Sequence, residues 1–110
     1  MNIDIEEKMY LEWKEKKISR EEENKMPSFT SHEEARAYFK ERFGHRFQLM
    51  DSKIIGNKKI YLYNLILNED YYMSYVRDEK VRMQPDSNFL FLFSYQSIEI
   101  FEDGFVHIIH

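Results

Sequence analysis

The sequence predicts an α+β domain: two N-terminal helices packed on an antiparallel sheet of about four to six strands built from hairpins. Three observations carry that expectation. A charged amphipathic stretch runs up to Pro27, a second helical stretch is marked at both ends by Ser31 and Gly44, and two turn dipeptides, Gly56-Asn57 and Asp103-Gly104, are each flanked by β-forming residues. At 110 residues the chain fits one domain, 1–110. Within it, residues 1–26 read as a charged helix that projects or mediates association, and residues 31–110 as a helix-plus-sheet core.

The first helix is expected over residues 3 to 24. Ile5, Met9 and Trp13 recur at i, i+4 with Tyr10 one step round, and the pattern thins to Ile18 between charged runs. Opposite charges at three- and four-residue spacing support a solvated helix there, and Pro27 ends it. For the second helix, Ser31 and Glu34 form a capping box, with the Ser31 hydroxyl taking the Glu34 amide and the Glu34 carboxylate reaching back. Ala35, Tyr38, Phe39 and Phe43 make its apolar stripe, and Gly44 stands where helices commonly stop.

The remainder reads as sheet. Residues 47–55 and 59–67 flank Gly56-Asn57 as a hairpin, and apolar side chains on both faces of the second strand make it central. Residues 71–83 read equally as strand or helix: Tyr71, Met73 and Tyr75 alternate, yet Asn68 is placed to cap a helix carrying Tyr72, Tyr75 and Val76. After the loop at residues 84–88, Phe89 to Phe93 reads as a buried strand, and residues 98–101 and 105–109 form a last hairpin around Glu102-Asp103-Gly104.

Composition narrows the chemistry. With no cysteine there are no disulfides, thiolate metal sites or cysteine nucleophiles, as expected of a reducing compartment. An acidic amino terminus is unlike a signal peptide, and the longest apolar run, Phe89 to Phe93, is too short for a membrane helix, so a cytoplasmic protein with no membrane association is expected. Three glycines cannot assemble a phosphate loop or dinucleotide fingerprint, and no serine stands in a nucleophile elbow. His32, His45, His107 and His110 have spacings that do not converge, so they read as surface or rim histidines and no metal is expected. Glu99, Glu102 and Asp103 cluster with His107 on one hairpin, but two of the three carboxylates lie in the turn, where water screens them. No catalytic residue and no cofactor is expected. Abundant Ile, Lys, Asn, Tyr and Phe with only two alanines suggests an AT-rich bacterial or phage genome.

Two surfaces point to binding. Tyr61, Tyr63, Tyr71, Tyr72 and Tyr75 crowd the C-terminal half, and tyrosine is enriched where proteins meet. They make a protein partner the first expectation, reached through a tyrosine-bearing sheet surface, an edge strand or the first helix. The role would be that of a small non-enzymatic regulator, inhibitor or immunity-like factor, and homodimerisation through the half-apolar first helix fits the same pattern. Residues 31–60 carry seven basic against four acidic side chains in a chain of net charge −4. Arg36, Lys40, Arg42, Lys58 and Lys59 therefore form a basic patch, and nucleic acid ranks second as partner. A small-ligand or hydrolase pocket between the second helix and the sheet, with His45 or His107 on its rim, ranks third.

Overall fold

The computed structural model describes residues 5–110, and within the first helix only the side chains of Lys8 and of Leu11 onward. Helices α1 (Ile5–Glu15), α2 (Arg20–Asn24) and α3 (His32–Phe43) come first, and a 3-10 turn (Gly44–Arg46) leads into strands β1 (Phe47–Ile55) and β2 (Lys58–Ile66). Helices α4 (Glu69–Arg77), α5 (Glu79–Arg82) and α6 (Ser87–Phe93) follow, then β3 (Tyr95–Phe101) and β4 (Val106–Ile108). The described residues make an α+β fold with a four-stranded antiparallel sheet in the order β1-β2-β3-β4. The connection from β2 to β3 carries three of the helices. Contacts divide the chain into two compact units, Ile18–Leu65 with Gln96–His110, and the chain up to Lys17 with Ile66–Tyr95.

In the sheet-bearing unit α3 starts and stops where its residues say it should. The Ser31 hydroxyl accepts the Glu34 amide at 3.1 Å and Gly44 is the C-cap. The return arm of the expected box differs by one residue: the Glu34 carboxylate takes the Thr30 amide and hydroxyl, while the His32 amide bonds to Glu102 O. The buried side of α3, Ala35 and Phe39, rests on the sheet, where Phe39 stacks on Phe47 at 5.0 Å and Phe47 on Tyr63 at 4.2 Å. Phe39, Phe47, Leu65, Ile98 and Ile100 are fully buried, each contributing about 1.5–3 kcal/mol of transfer free energy.

Both expected hairpins form. Gly56 has φ +63° and Asn57 does not enter the left-handed region, the pattern of a type II′ turn with glycine first. In the second hairpin Phe101 N donates to Phe105 O and Gly104 N to Phe101 O, so the loop holds three residues with glycine last. Gly104 is also where another backbone passes. A Cβ there would stand 2.6 Å from Phe29 O and 2.7 Å from Ser31 N, and its φ of +92° already excludes most side chains.

The helix expected over residues 3–24 is two helices, and residues 3 and 4 lie outside the described residues. The chain leaves α1 after Glu15, and Ser19 restarts it as the N-cap of α2 with a complete capping box to Glu22. The break has a tertiary cause. Ile18 is 4 % exposed, and its amide and carbonyl are both taken by the buried Gln96 side chain of β3, at 2.8 and 3.1 Å. Two backbone groups bonded to a side chain cannot also serve a helix.

In the other unit Trp13 is buried and meets Tyr71 at 5.5 Å, while Ile5, Met9 and Tyr10 lie outside the described side chains. Of the two readings for residues 71–83 the helical one is correct: Asn68 accepts the Tyr71 amide at 2.9 Å and opens α4. The expected strand at Phe89 to Phe93 is instead helix α6, a correction that periodicity explains. Leu90 turns inward and Phe91 stacks on Tyr75 at 4.0 Å, while Phe89 and Leu92 are more than half exposed. Five consecutive apolar residues carry no period, so only the neighbours could decide between strand and helix.

Candidate functional site

Among the described residues strand β1 is an edge of the sheet, paired with β2 alone. Its first residue, Phe47, is buried beneath α3, and Lys40 Nζ donates to the Phe47 carbonyl at 2.5 Å. Beyond half-buried Gln48, every residue from Leu49 to Lys59 is exposed. Four of them are large and apolar: Leu49, Met50, Ile54 and Ile55 each present more than half their surface, Ile54 72 %. Exposed apolar side chains on an unpaired strand mark a surface that another chain can cover.

The register shows which backbone groups that strand offers. Ile55 and Lys58 close the two-residue turn, Lys53 faces Ile60 and Asp51 faces Leu62. The closing pair of such a turn exchanges hydrogen bonds and bonded pairs alternate, so the amides and carbonyls of Ser52 and Ile54 point away from β2. The Ser52 amide is held locally by the Asp51 carboxylate at 2.8 Å. A bulge between Leu49 and Asp51 interrupts the ladder and raises the local twist. On the sheet face away from α3, Met50, Asp51 and Lys53 border an open depression of about 350 Å³ shared with Leu62, Asn64, Glu99 and Ile109.

The five tyrosines divide between the two units. Tyr63 and Tyr72 are buried and present no ring area to a partner, and Tyr61 is half-buried with its ring stacked on His32 at 3.5 Å. Tyr71 packs on Trp13 and donates to Ser87 O at 3.1 Å, and Tyr75 bonds to Asn88 Oδ1. Tyr61 and Tyr63 stand on β2, and Tyr71, Tyr72 and Tyr75 on α4.

The basic residues are likewise engaged inside the chain. Lys58 lies 3.7 Å from Asp103, Lys59 sits over the Tyr61 ring at 5.0 Å, Arg42 over Tyr38 at 5.2 Å, and the Arg36 charge acts on the Tyr63 hydroxyl, favouring its ionised form. Lys40 is spent on Phe47. Any phosphate must compete with these contacts.

His32 is not the rim residue its position suggests. It is 8 % exposed, shares a 2.6 Å hydrogen bond with the Tyr63 hydroxyl, and burial pushes its pKa down from 6.5. Glu33 opposes that shift, while Arg36 and Lys59 add to it. Burial in turn pushes the Tyr63 hydroxyl above its ordinary value. His45 and His107 are exposed, His107 pairing with Glu99 at 2.8 Å, while the largely covered His110 side chain pairs with Glu23 at 2.8 Å. Among the described residues, no three metal-ligating side chains converge.

Sequence reasoning did not single out Leu49 to Ile55. The signal was present, since Asp51-Ser52-Lys53 stands between two apolar pairs, but it has meaning only for a strand known to lie at an edge. No family model matches the chain, and neither the curated proteins nor the solved structures contain a match. No described helix is long and apolar enough to cross a membrane.

Proposed function

We propose that this chain is a non-enzymatic protein-interaction module, a small intracellular regulator, inhibitor or immunity-like factor, whose docking surface is the β1 edge and its hairpin. One observation carries the reading: a nine-residue edge strand keeps four large apolar side chains in water. An added strand would cover them and satisfy the outward amides of Ser52 and Ile54, which is how extended segments dock on sheets.

A photo-crosslinking residue at Ile54, with the same residue at exposed Glu41 of α3 as control, tests this in the cells that produce the chain. Protein adducts from position 54 and none from position 41 support it. Equal yields, or no protein adduct at either, reject it.

The Glu99–His107 pair favours a small-ligand reading in a different place from the pocket expected between the second helix and the sheet, because Glu99 borders the 350 Å³ depression on the face away from α3. Loss of a metabolite-induced melting shift in Glu99→Gln would support that reading. A screen with no shift in the parent chain counts against it.

A further inference from the structure

We propose that the partner of β1 is β1 of a second copy of this chain, docked antiparallel about a two-fold axis at Ser52, so that two four-stranded sheets become one. This rests on the reading of β1 as the docking edge and adds the identity of the occupant.

The residues are arranged for it. In a ladder centred on Ser52, Asp51 of one copy lies opposite Lys53 of the other, and by symmetry the pair occurs twice. Beyond that pair the bulge leaves Leu49 on the sheet face of Ile54 and Met50 on the face of Asp51, Lys53 and Ile55, so apolar side chains flank the seam on both faces at each end, where the regular ladder stops. The backbone agrees. Ser52 and Ile54 point their amides and carbonyls away from β2, so Ser52 pairs with Ser52 as the hydrogen-bonded pair. Asp51 and Lys53 then form non-bonded pairs, whose side chains are closest, and opposite charges there are favourable.

Shifting the centre by one residue, to Lys53, sets that lysine against itself, so charge selects the register. The charges also do not read as simple edge protection, which is served by like-signed lysines; here they are opposite and one step either side of the symmetry point. The other edge, β4, is only three residues long. In the single chain Asp51 occupies the Ser52 amide at 2.8 Å. Docking exchanges that local bond for a backbone ladder bond and frees the carboxylate for Lys53 of the second copy.

Sedimentation equilibrium of the full chain at high micromolar concentration and moderate salt tests the inference. The parent chain is expected to dimerise. Asp51→Lys and Lys53→Asp, each checked for unchanged melting, should each weaken the dimer by about tenfold or more, because two attractive pairs become repulsive. Mixing the two variants, one all-basic and one all-acidic at the seam, should restore it as a heterodimer. Ser52→Pro removes an amide that β2 does not use and should abolish pairing; if it fails to fold, the charge variants decide. A monomeric parent chain overturns the inference, as does a dimer indifferent to the charge variants or a mixture that stays monomeric. A monomeric parent whose Ile54 cross-link carries a different protein refutes the second copy while sparing the docking edge. Absence of any adduct at Ile54 refutes the edge itself.

Discussion

Strands β1 and β3 draw on the same kinds of residue and meet opposite fates. Along β3 burial alternates, with Gln96, Ile98 and Ile100 buried and Tyr95, Ser97, Glu99 and Phe101 half-covered. Along β1 burial ends after Phe47, and Ile54 and Ile55 stand in water. The backbone neighbours differ too: among the described residues β3 has β2 on one side and β4 on the other, and β1 has β2 alone. Apolar content forms a strand, while what packs on its faces decides whether its side chains are covered: Phe47 of β1 and Ile108 of β4 are buried although both strands are edges, and Leu49 to Ile55 are exposed.

The sharpest way to break this contrast is one substitution made in both strands. Ile98→Ala, at a site with no exposed surface, should lower the unfolding free energy by about 3–4 kcal/mol in denaturant melts, since it removes buried methyl groups and leaves a void. A loss below about 1 kcal/mol would mean that β3 is not the buried strand.

Gln96→Leu should cost about 3 kcal/mol. It keeps the volume but strands the Ile18 amide and carbonyl and the Ile109 carbonyl, which the amide side chain now serves. Thermal melts beside Ile98→Ala measure it, and near-neutrality would show that the 16–19 break does not depend on β3.

His32 supplies a smaller, pH-dependent effect in the same unit. The unfolded chain takes up the proton near 6.5, whereas buried His32 does so only at lower pH, so protonation favours unfolding. Stability should therefore decline as pH falls below about 6.5, and His32→Gln should show a shallower decline between pH 7 and 5. Parallel pH profiles would remove the assignment. The smallest expected effect is the counterpart of the first: Ile54→Ala should change the stability of the single chain by no more than about 0.5 kcal/mol.

What could be read along the chain was whatever rests on near neighbours. The Ser31 cap and Gly44 bound α3, and Gly56-Asn57 and Asp103-Gly104 place two hairpins, because caps and tight turns are closed by bonds within a few residues. Ser19 with Glu22 belonged to the same class and was hidden by the charge periodicity around it. Asn68 pointed correctly to α4, but its alternative could be dismissed only by the rings stacked on that helix.

Three things were decided by tertiary structure alone. Gln96, 78 residues from Ile18, ends the first helix by taking its backbone bonds. Tyr72 and Tyr75 make Phe89–Phe93 a helix, since a run without period adopts whatever shape buries it against its neighbours. The edge position of β1 follows from strand order, set by which surfaces meet after the chain folds back on itself. The sequence by itself determined local geometry, through bonds closed within a turn. Long-range burial determined which faces were left uncovered, because that depends on residues far apart in the chain arriving at the same place.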